Sequence, residues 1–342
     1  MAERYTDIGL ISISKMNELS KKSVAWLEVD ESGEQQRIDN FLVRHLKGVP
    51  KSHIYRILRS GEVRVNSKRV DSGYRLCIGD KVRIPPVRTA QRPDRLESGT
   101  VPAHLSRRAL YEDDALLVID KPAGMAVHGG SGVSRGVIEQ LRLERPEAKF
   151  LELVHRLDRE TSGVLMLAKK RSALVALHQA MREGGVEKRY LALVKGKWRD
   201  EKRNVHLPLH KYVTSAGERR VSVHEHGQVA HTLFFLKRSW PDFTLLEAEL
   251  KTGRTHQIRV HLSHLGFPIA CDDKYGDFDW NKSLHKQGLK RMFLHAHKLV
   301  IKHPLTGRTL PLEAPLPEDL QSFLSTLDQQ GVILDHIVKH SV

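Results

Sequence analysis

The sequence predicts an α+β protein with two unequal parts: a small basic unit near the N-terminus and a larger domain on a mainly antiparallel sheet. Three observations carry that prediction. After about residue 107, strand-like runs outnumber helix-like ones and do not alternate with them as βαβ units would. A polar, Pro- and Gly-containing stretch at 88–106, RTAQRPDRLESGTVPAHLS, looks like a linker between the two parts. Finally, 342 residues, 40% of them hydrophobic and 28% charged, provide for at least one large core.

Residues 1–36 are expected to form an N-terminal extension, polar except for SVAWLEV, which has the composition of a strand. This segment lacks the apolar h-region and small-residue cleavage pattern of a signal peptide. No apolar run approaches the ~20 residues needed to cross a bilayer. Cys77 and Cys271 lie far apart and suit a reducing compartment, so a cytoplasmic protein with no membrane partner, and a monomer, is expected.

The small unit is expected over 37–87. Ile38, Phe41, Leu42 and Leu46 have helical spacing. A second helix would be capped by Ser52, bury Ile54, Ile57 and Leu58, and stop at Gly61. EVRV and GDKVRI then read as strands, with NSK as a turn. Residues 41–84 carry eleven Lys or Arg, including Lys47, Lys51, Arg56, Arg59 and Arg64, against three acids. That is over half of the chain's formal net charge of +15, and it points to a polyanion, nucleic acid before membrane. Arg56 and Arg59 share the polar side of the second helix. A solvated basic face would look the same, but the charge lies opposite an apolar stripe, which favours a phosphate-binding face.

In the larger part, 107–335, the runs ALLVID, GVLMLAKK, YLALVKG, HTLFFLKRS and FTLLEAELK read as strands. One helix is expected from Ser172 to Glu183, with Leu174, Leu177 and Met181 facing inward. Another is expected in LPEDLQSFLSTLDQQ, with Leu320, Phe323, Leu324 and Leu327 as its apolar stripe.

Several chemistries find no support. The 20 histidines include close pairs, such as His295 and His297, but no H-E-x-x-H or cysteine pattern completes a metal site. HGGSGVSRG is glycine-rich without a nucleotide-binding spacing, and no G-x-S-x-G elbow is present.

What remains is HRLDRETSG at 155–163, between the apolar runs LELV and VLMLA. Asp158 sits on a connector anchored at both ends by strands, where an unpaired carboxylate would be costly. KTGRTHQIRVHL at 251–262 follows a strand and ends in apolar–polar alternation. It offers Arg254 and Arg259 as guanidinium partners able to grip a carboxylate bidentately. Spacing alone leaves two readings open, a catalytic carboxylate or two tight turns held by a buried salt bridge. A non-catalytic RNA-binding or ribosome-assembly factor would share the same charge. A hydrolase would call for a second carboxylate or a metal.

HRLDRETSG, with GRTHQIRVHL, KPAGMAVHGG and EKRYLALVKG, resembles the RNA pseudouridine synthases of the large branch that modifies ribosomal RNA and some tRNA. The basic unit resembles the S4 RNA-binding domain that precedes many of them, and the combination is most similar to members acting on 23S ribosomal RNA. The resemblance implies a pseudouridine synthase catalytic domain with Asp158 as its indispensable carboxylate. It implies that Arg156 enters the base stack, Tyr190 lies against the flipped base and Arg259 pairs with Asp158. It implies no metal and no organic cofactor. Lys51, Arg56, Arg59 and Arg64 are the expected RNA contacts of the S4-like unit.

Overall fold

A computed structural model describes residues 24–46, 48–87, 104–129 and 135–339, with only the backbone of 331–339. Lys47, most of the expected linker and most of the glycine-rich HGGSGVSRG loop lie outside the described residues. The chain divides into two units, residues 1–98 and 99–342.

In the first unit, β1 (Ala25–Glu28) is followed by α1 (Ile38–His45) and α2 (Lys51–Arg59). Then come β2 (Arg64–Val65), β3 (Lys68–Arg69) and β4 (Lys81–Ile84). The sheet order is β1-β4-β2-β3. β1, which falls within the expected extension 1–36, pairs antiparallel with β4, Ala25 opposite Ile84. Ile38, Phe41, Leu42, Ile54, Ile57 and Leu58 pack under this sheet, as their helical spacing predicts.

Ser52 does not cap α2. Pro50 holds that position, its ring fixing φ at −58° and needing no N–H there. Asn66 and Ser67 both take positive φ, which makes the β2–β3 connection a two-residue hairpin turn. Buried Asp39 joins the two helices by accepting from both Nε and Nη2 of Arg37, from the Asn40 N–H and from Tyr55 Oη.

The second unit begins with a short 3-10 turn, Leu105–Arg108, so the last residues of the expected linker already belong to it. There follow β5 (Ala109–Glu112), β6 (Leu116–Lys121), α3 (Val137–Glu144), β7 (Glu152–Leu153) and β8 (Ser162–Ala168). Next are α4 (Arg171–Arg182), β9 (Glu187–Lys195), β10 (Lys202–His206), β11 (Leu209–Val213) and β12 (Arg219–Val223). The chain continues through β13 (His231–Ser239), β14 (Phe243–Leu250), α5 (Gln257–His264) and α6 (Phe278–Lys286). It ends with β15 (Leu294–Lys302), β16 (Thr309–Glu313) and α7 (Glu318–Lys339).

Ten of these strands form one sheet, ordered β10-β13-β14-β9-β15-β8-β6-β5, with β16 on β15 and β7 on β8. Every described pairing is antiparallel except β8 with β15, where Ser162 faces His295 and Gly163 faces Ala296. The fold is thus α+β with an antiparallel-rich sheet, as expected. β8 is buried throughout its length. Leu165 and Leu167 join a core with α3 and α5, while Val164 and Met166 join one with α4. Leu320, Phe323 and Leu327 of α7 close a third cluster with Trp240 and Phe243. Among the described residues no helix is long and apolar enough to cross a membrane.

The alternating pattern of QIRVHL does not make a strand. It is the two-turn helix α5, in which Gln257 through Leu262 are all buried. A helix buried on every side carries no amphipathic stripe, so periodicity could not reveal it.

Candidate active site

HRLDRETSG forms the connector from β7 to β8, and the reason for each residue type is visible in its contacts. Burial drives the His155 pKa down to about 4. The ring is therefore neutral, and Nε2 accepts the Met166 N–H at 3.1 Å. The Arg159 side chain donates to the Gly124 carbonyl at 3.0 Å. In return, Lys121 Nζ donates to the Arg159 carbonyl at 3.1 Å and to those of Pro122 and Met125, both at 2.8 Å. Burial lowers the Lys121 pKa to about 7, yet three carbonyls for three N–H donors is the surrounding an ammonium requires. The KPAG turn and the Asp158 turn thus clasp one another.

Ser162 Oγ lies 2.8 Å from His295 Nδ1 and accepts from Arg291 Nη2 at 2.7 Å. Gly163 has φ +111°, and a Cβ there would come within 2.2 Å of the Ala296 carbonyl oxygen. Only glycine lets β8 and β15 approach so closely.

Asp158 is half-buried, its side chain 27% exposed, at the wall of a cavity of about 570 Å³. Arg259 Nη1 donates to Asp158 Oδ2 at 3.1 Å. His256 Nε2 lies 3.8 Å from the same oxygen. No described residue donates to Oδ1. Arg254, the other guanidinium considered, donates instead to the Val229 carbonyl.

The bidentate grip expected of Arg259 goes elsewhere, to the buried Asp272, with Nε–Oδ2 at 2.8 Å and Nη2–Oδ1 at 2.7 Å. Burial alone would lower the arginine's pKa. The hydrogen bonds and charge of Asp272, with Asp158 adding, outweigh it and raise it. Burial likewise works against ionised Asp272, but Arg259 and the N–H groups of Tyr275 and Lys274 hold its pKa below the ordinary value. Arg259 is a fixed cation among three carboxylates: buried Asp272, cavity-facing Asp158 and exposed Asp273, whose Oδ1 accepts from Nη2 at 3.3 Å.

Tyr190 on β9 lines the same cavity, and burial together with the Asp158 charge raises its pKa and keeps the phenol neutral. Arg156 lines it from an exposed position. Lys188, two residues before Tyr190 on β9 and so on the same face, lines it as well. Burial lowers the Lys188 pKa, and its side chain has no hydrogen bond or ion pair with another described residue.

Residues 115–264 match the family model of RNA pseudouridylate synthase, and residues 36–82 match the S4 domain. Over 316 residues the chain is 54% identical to ribosomal large subunit pseudouridine synthase C of Escherichia coli, covering 90% of this chain and 97% of that protein. The chain belongs to the RNA pseudouridine synthases.

The Haemophilus influenzae protein of the same name is 50% identical over 318 residues, covering 92% of this synthase and 99% of its own length. Among solved structures, human RNA pseudouridylate synthase domain containing 4 superposes with a TM-score of 0.54 at 29% identity. That match covers 66% of the synthase and 94% of the human chain.

The fold of this synthase therefore brings Asp158, Arg156, Tyr190 and Arg259 to one cavity. Lys51, Arg56, Arg59 and Arg64 belong to the S4 unit, all exposed, on α2 and β2. Arg56 has an acidic neighbour, Glu62, at 3.7 Å. Sequence reasoning missed Asp272, Tyr275, His256 and Lys188. The available signal was a buried arginine's need for a permanent acid, which the pair Asp272–Asp273 could have met. Among the described residues, no group of three or more His, Cys, Asp or Glu converges as a metal would require.

Proposed function

We propose that this synthase isomerises uridines to pseudouridine in the 23S RNA of the large ribosomal subunit, with Asp158 as its essential catalytic carboxylate. One observation carries the chemistry: Asp158 Oδ2 is held by Arg259 while Oδ1 takes no donor from the described residues, at a cavity that Tyr190 also lines. The relatives' name, ribosomal large subunit pseudouridine synthase C, supports the choice of RNA.

The reaction breaks the N1–C1′ bond, turns the uracil and joins C5 to C1′. The proton on C5 is released and N1 gains one, so no atom is lost overall. A uridine must leave its stack before these atoms can be reached, and an aromatic face offsets part of that cost. Tyr190 offers that face, Arg156 occupies the vacated stack, and Lys188, with no ion pair among the described residues, brings a charge for the RNA backbone. Asp158 then acts through Oδ1, on C1′, on C6 or on the proton to be removed. Arg259 sets a positive charge against Oδ2 and fixes the carboxylate's aim.

The test is a map of pseudouridines in 23S ribosomal RNA from cells lacking the gene. Specific sites are expected to revert to uridine, to return with the wild-type gene and to stay absent with Asp158→Asn. Restoration by the variant would overturn the assignment of Asp158. An unchanged 23S map would overturn the assignment of the RNA.

The S4 unit would supply phosphate contacts, which add affinity and little sequence information. Lys51, Tyr55, Arg56 and Arg59 are exposed on α2, an aromatic ring among cations. Arg56→Glu with Arg59→Glu is expected to raise KM for RNA far more than it lowers kcat. It should also flatten the dependence of log affinity on log salt by about 1.5, as two lost phosphate contacts would. An unchanged salt slope would remove these residues from the interface.

A further inference from the structure

Three residues that the reading above leaves unused form a chain ending at the catalytic carboxylate. The Val221 N–H of β12 donates to Tyr275 Oη at 3.0 Å. Tyr275 Oη lies 2.8 Å from His256 Nδ1. His256 Nε2 lies 3.8 Å from Asp158 Oδ2. The His256 backbone takes φ +54°, ψ +21° at the N-cap of α5, a left-handed conformation that is unfavourable for a non-glycine residue.

The positions of the hydrogens follow from bookkeeping. Burial keeps the imidazole neutral, against the pull of Asp158, so the ring bears one N–H. Burial raises the Tyr275 pKa to about 12, so its hydroxyl keeps its hydrogen. If Nδ1 carried the proton, Tyr275 Oη would accept twice, its own hydrogen would find no acceptor among the described residues, and the Nε2 lone pair would face an anion. If Nε2 carries it, Tyr275 accepts from Val221 and donates to Nδ1, and an N–H points at the carboxylate. Only the second arrangement satisfies every group.

We propose that Tyr275 and His256 are positioning residues for Asp158. Tyr275 fixes the tautomer of His256, and His256 presents a second N–H to the oxygen that Arg259 already holds. With Oδ2 addressed from the N-cap and the first turn of α5, Oδ1 is left as the reactive atom. The inference rests on the reading of Asp158 as the catalytic carboxylate.

Two details strengthen it. Asp272 and Tyr275 belong to one short loop, and Asp272 Oδ1 accepts the Tyr275 N–H at 3.0 Å. The loop that grips Arg259 therefore also orients His256. A separation of 3.8 Å is too long for a hydrogen bond, but catalytic hydrogen bonds are often long before substrate enters and tighten when it does.

The variants separate positioning from packing. Tyr275→Phe removes only the hydroxyl and keeps the ring under the Arg259 guanidinium, 5.1 Å away. His256→Leu removes both nitrogens, and His256→Gln restores an N–H near the Nε2 position. Tyr275→Phe is expected to lower kcat about tenfold with KM for RNA unchanged, less than the loss of a direct donor to a developing charge. His256→Leu should lower kcat further, His256→Gln should recover most of it, and Tyr275→Phe should have no added effect in the His256→Leu background.

Fully additive losses, or no rescue by glutamine, would overturn the proposal, as would kcat values at the wild-type level. Asp158→Asn runs in the same assay. Activity in that variant would defeat the reading of Asp158 itself, whereas an inactive Asp158→Asn beside unimpaired His256 variants would defeat only this inference.

Discussion

Purified Asp158→Asn protein is expected to turn over RNA at least about a thousandfold more slowly than wild type, while its affinity for RNA stays within about twofold. The two side chains have nearly the same shape, and the amide oxygen can still accept from Arg259 Nη1, which lies 3.1 Å from Oδ2 in the wild type. Arg259 keeps its two bonds to Asp272, so the helix carrying it has no reason to move. The substitution removes the negative charge and the basic oxygen, and nothing that binds RNA phosphates. Single-turnover release of tritium from C5-labelled uridine, beside filter binding of the same RNA, measures the two quantities. A proportional fall in both would assign Asp158 to binding and not to chemistry.

Arg259→Met is expected to cost stability as well as turnover. It strands Asp272, whose side chain is 1% exposed, without its guanidinium, and removing one partner of a buried pair costs roughly 3–5 kcal/mol. For a domain of this size that corresponds to a fall in Tm on the order of 10 °C. Asp272→Asn added to Arg259→Met removes the stranded charge and should recover much of the stability, yet no turnover, because Asp158 still lacks its counter-charge. Recovery of activity in the double variant would refute the role given to Arg259.

The same pair sets a pH dependence. The folded-state pKa of Asp272 lies below its ordinary value, so its contribution is complete above the usual carboxylate range and is lost as pH falls through the folded value. Acid melts of the wild type should show this loss. In the double variant that part should be missing.

The carboxylate and its cation were legible because each lies inside a motif whose residue types make sense only together. The partners that orient them were not. Asp272 reads as one of two acids in a polar turn, and Tyr275 as a lone aromatic. Their role exists only because the chain after α5 folds back across that helix, which is a non-local event. α5 was hidden for a different reason: buried on all sides, it has no polar face to set a period. β1 is a third case. SVAWLEV has the composition of a strand, but its partner is β4, more than fifty residues later, so nothing local ties it to the S4 unit. By contrast α4 buries a single stripe and was read to within a residue of each end, while α7 was read from its start to residue 330 and runs on to 339.

The single parallel pairing has a consequence for how the enzyme comes to be active. β5 to β8 are contiguous in the chain, and so are β9 to β16, and each run builds its pairings antiparallel. The two runs meet where β8 lies beside β15. Asp158 comes from the first run; Tyr190, His256 and Arg259 come from the second. The carboxylate proposed for catalysis and its counter-charge thus lie on opposite sides of one seam, and their alignment depends on the junction of β8 with β15.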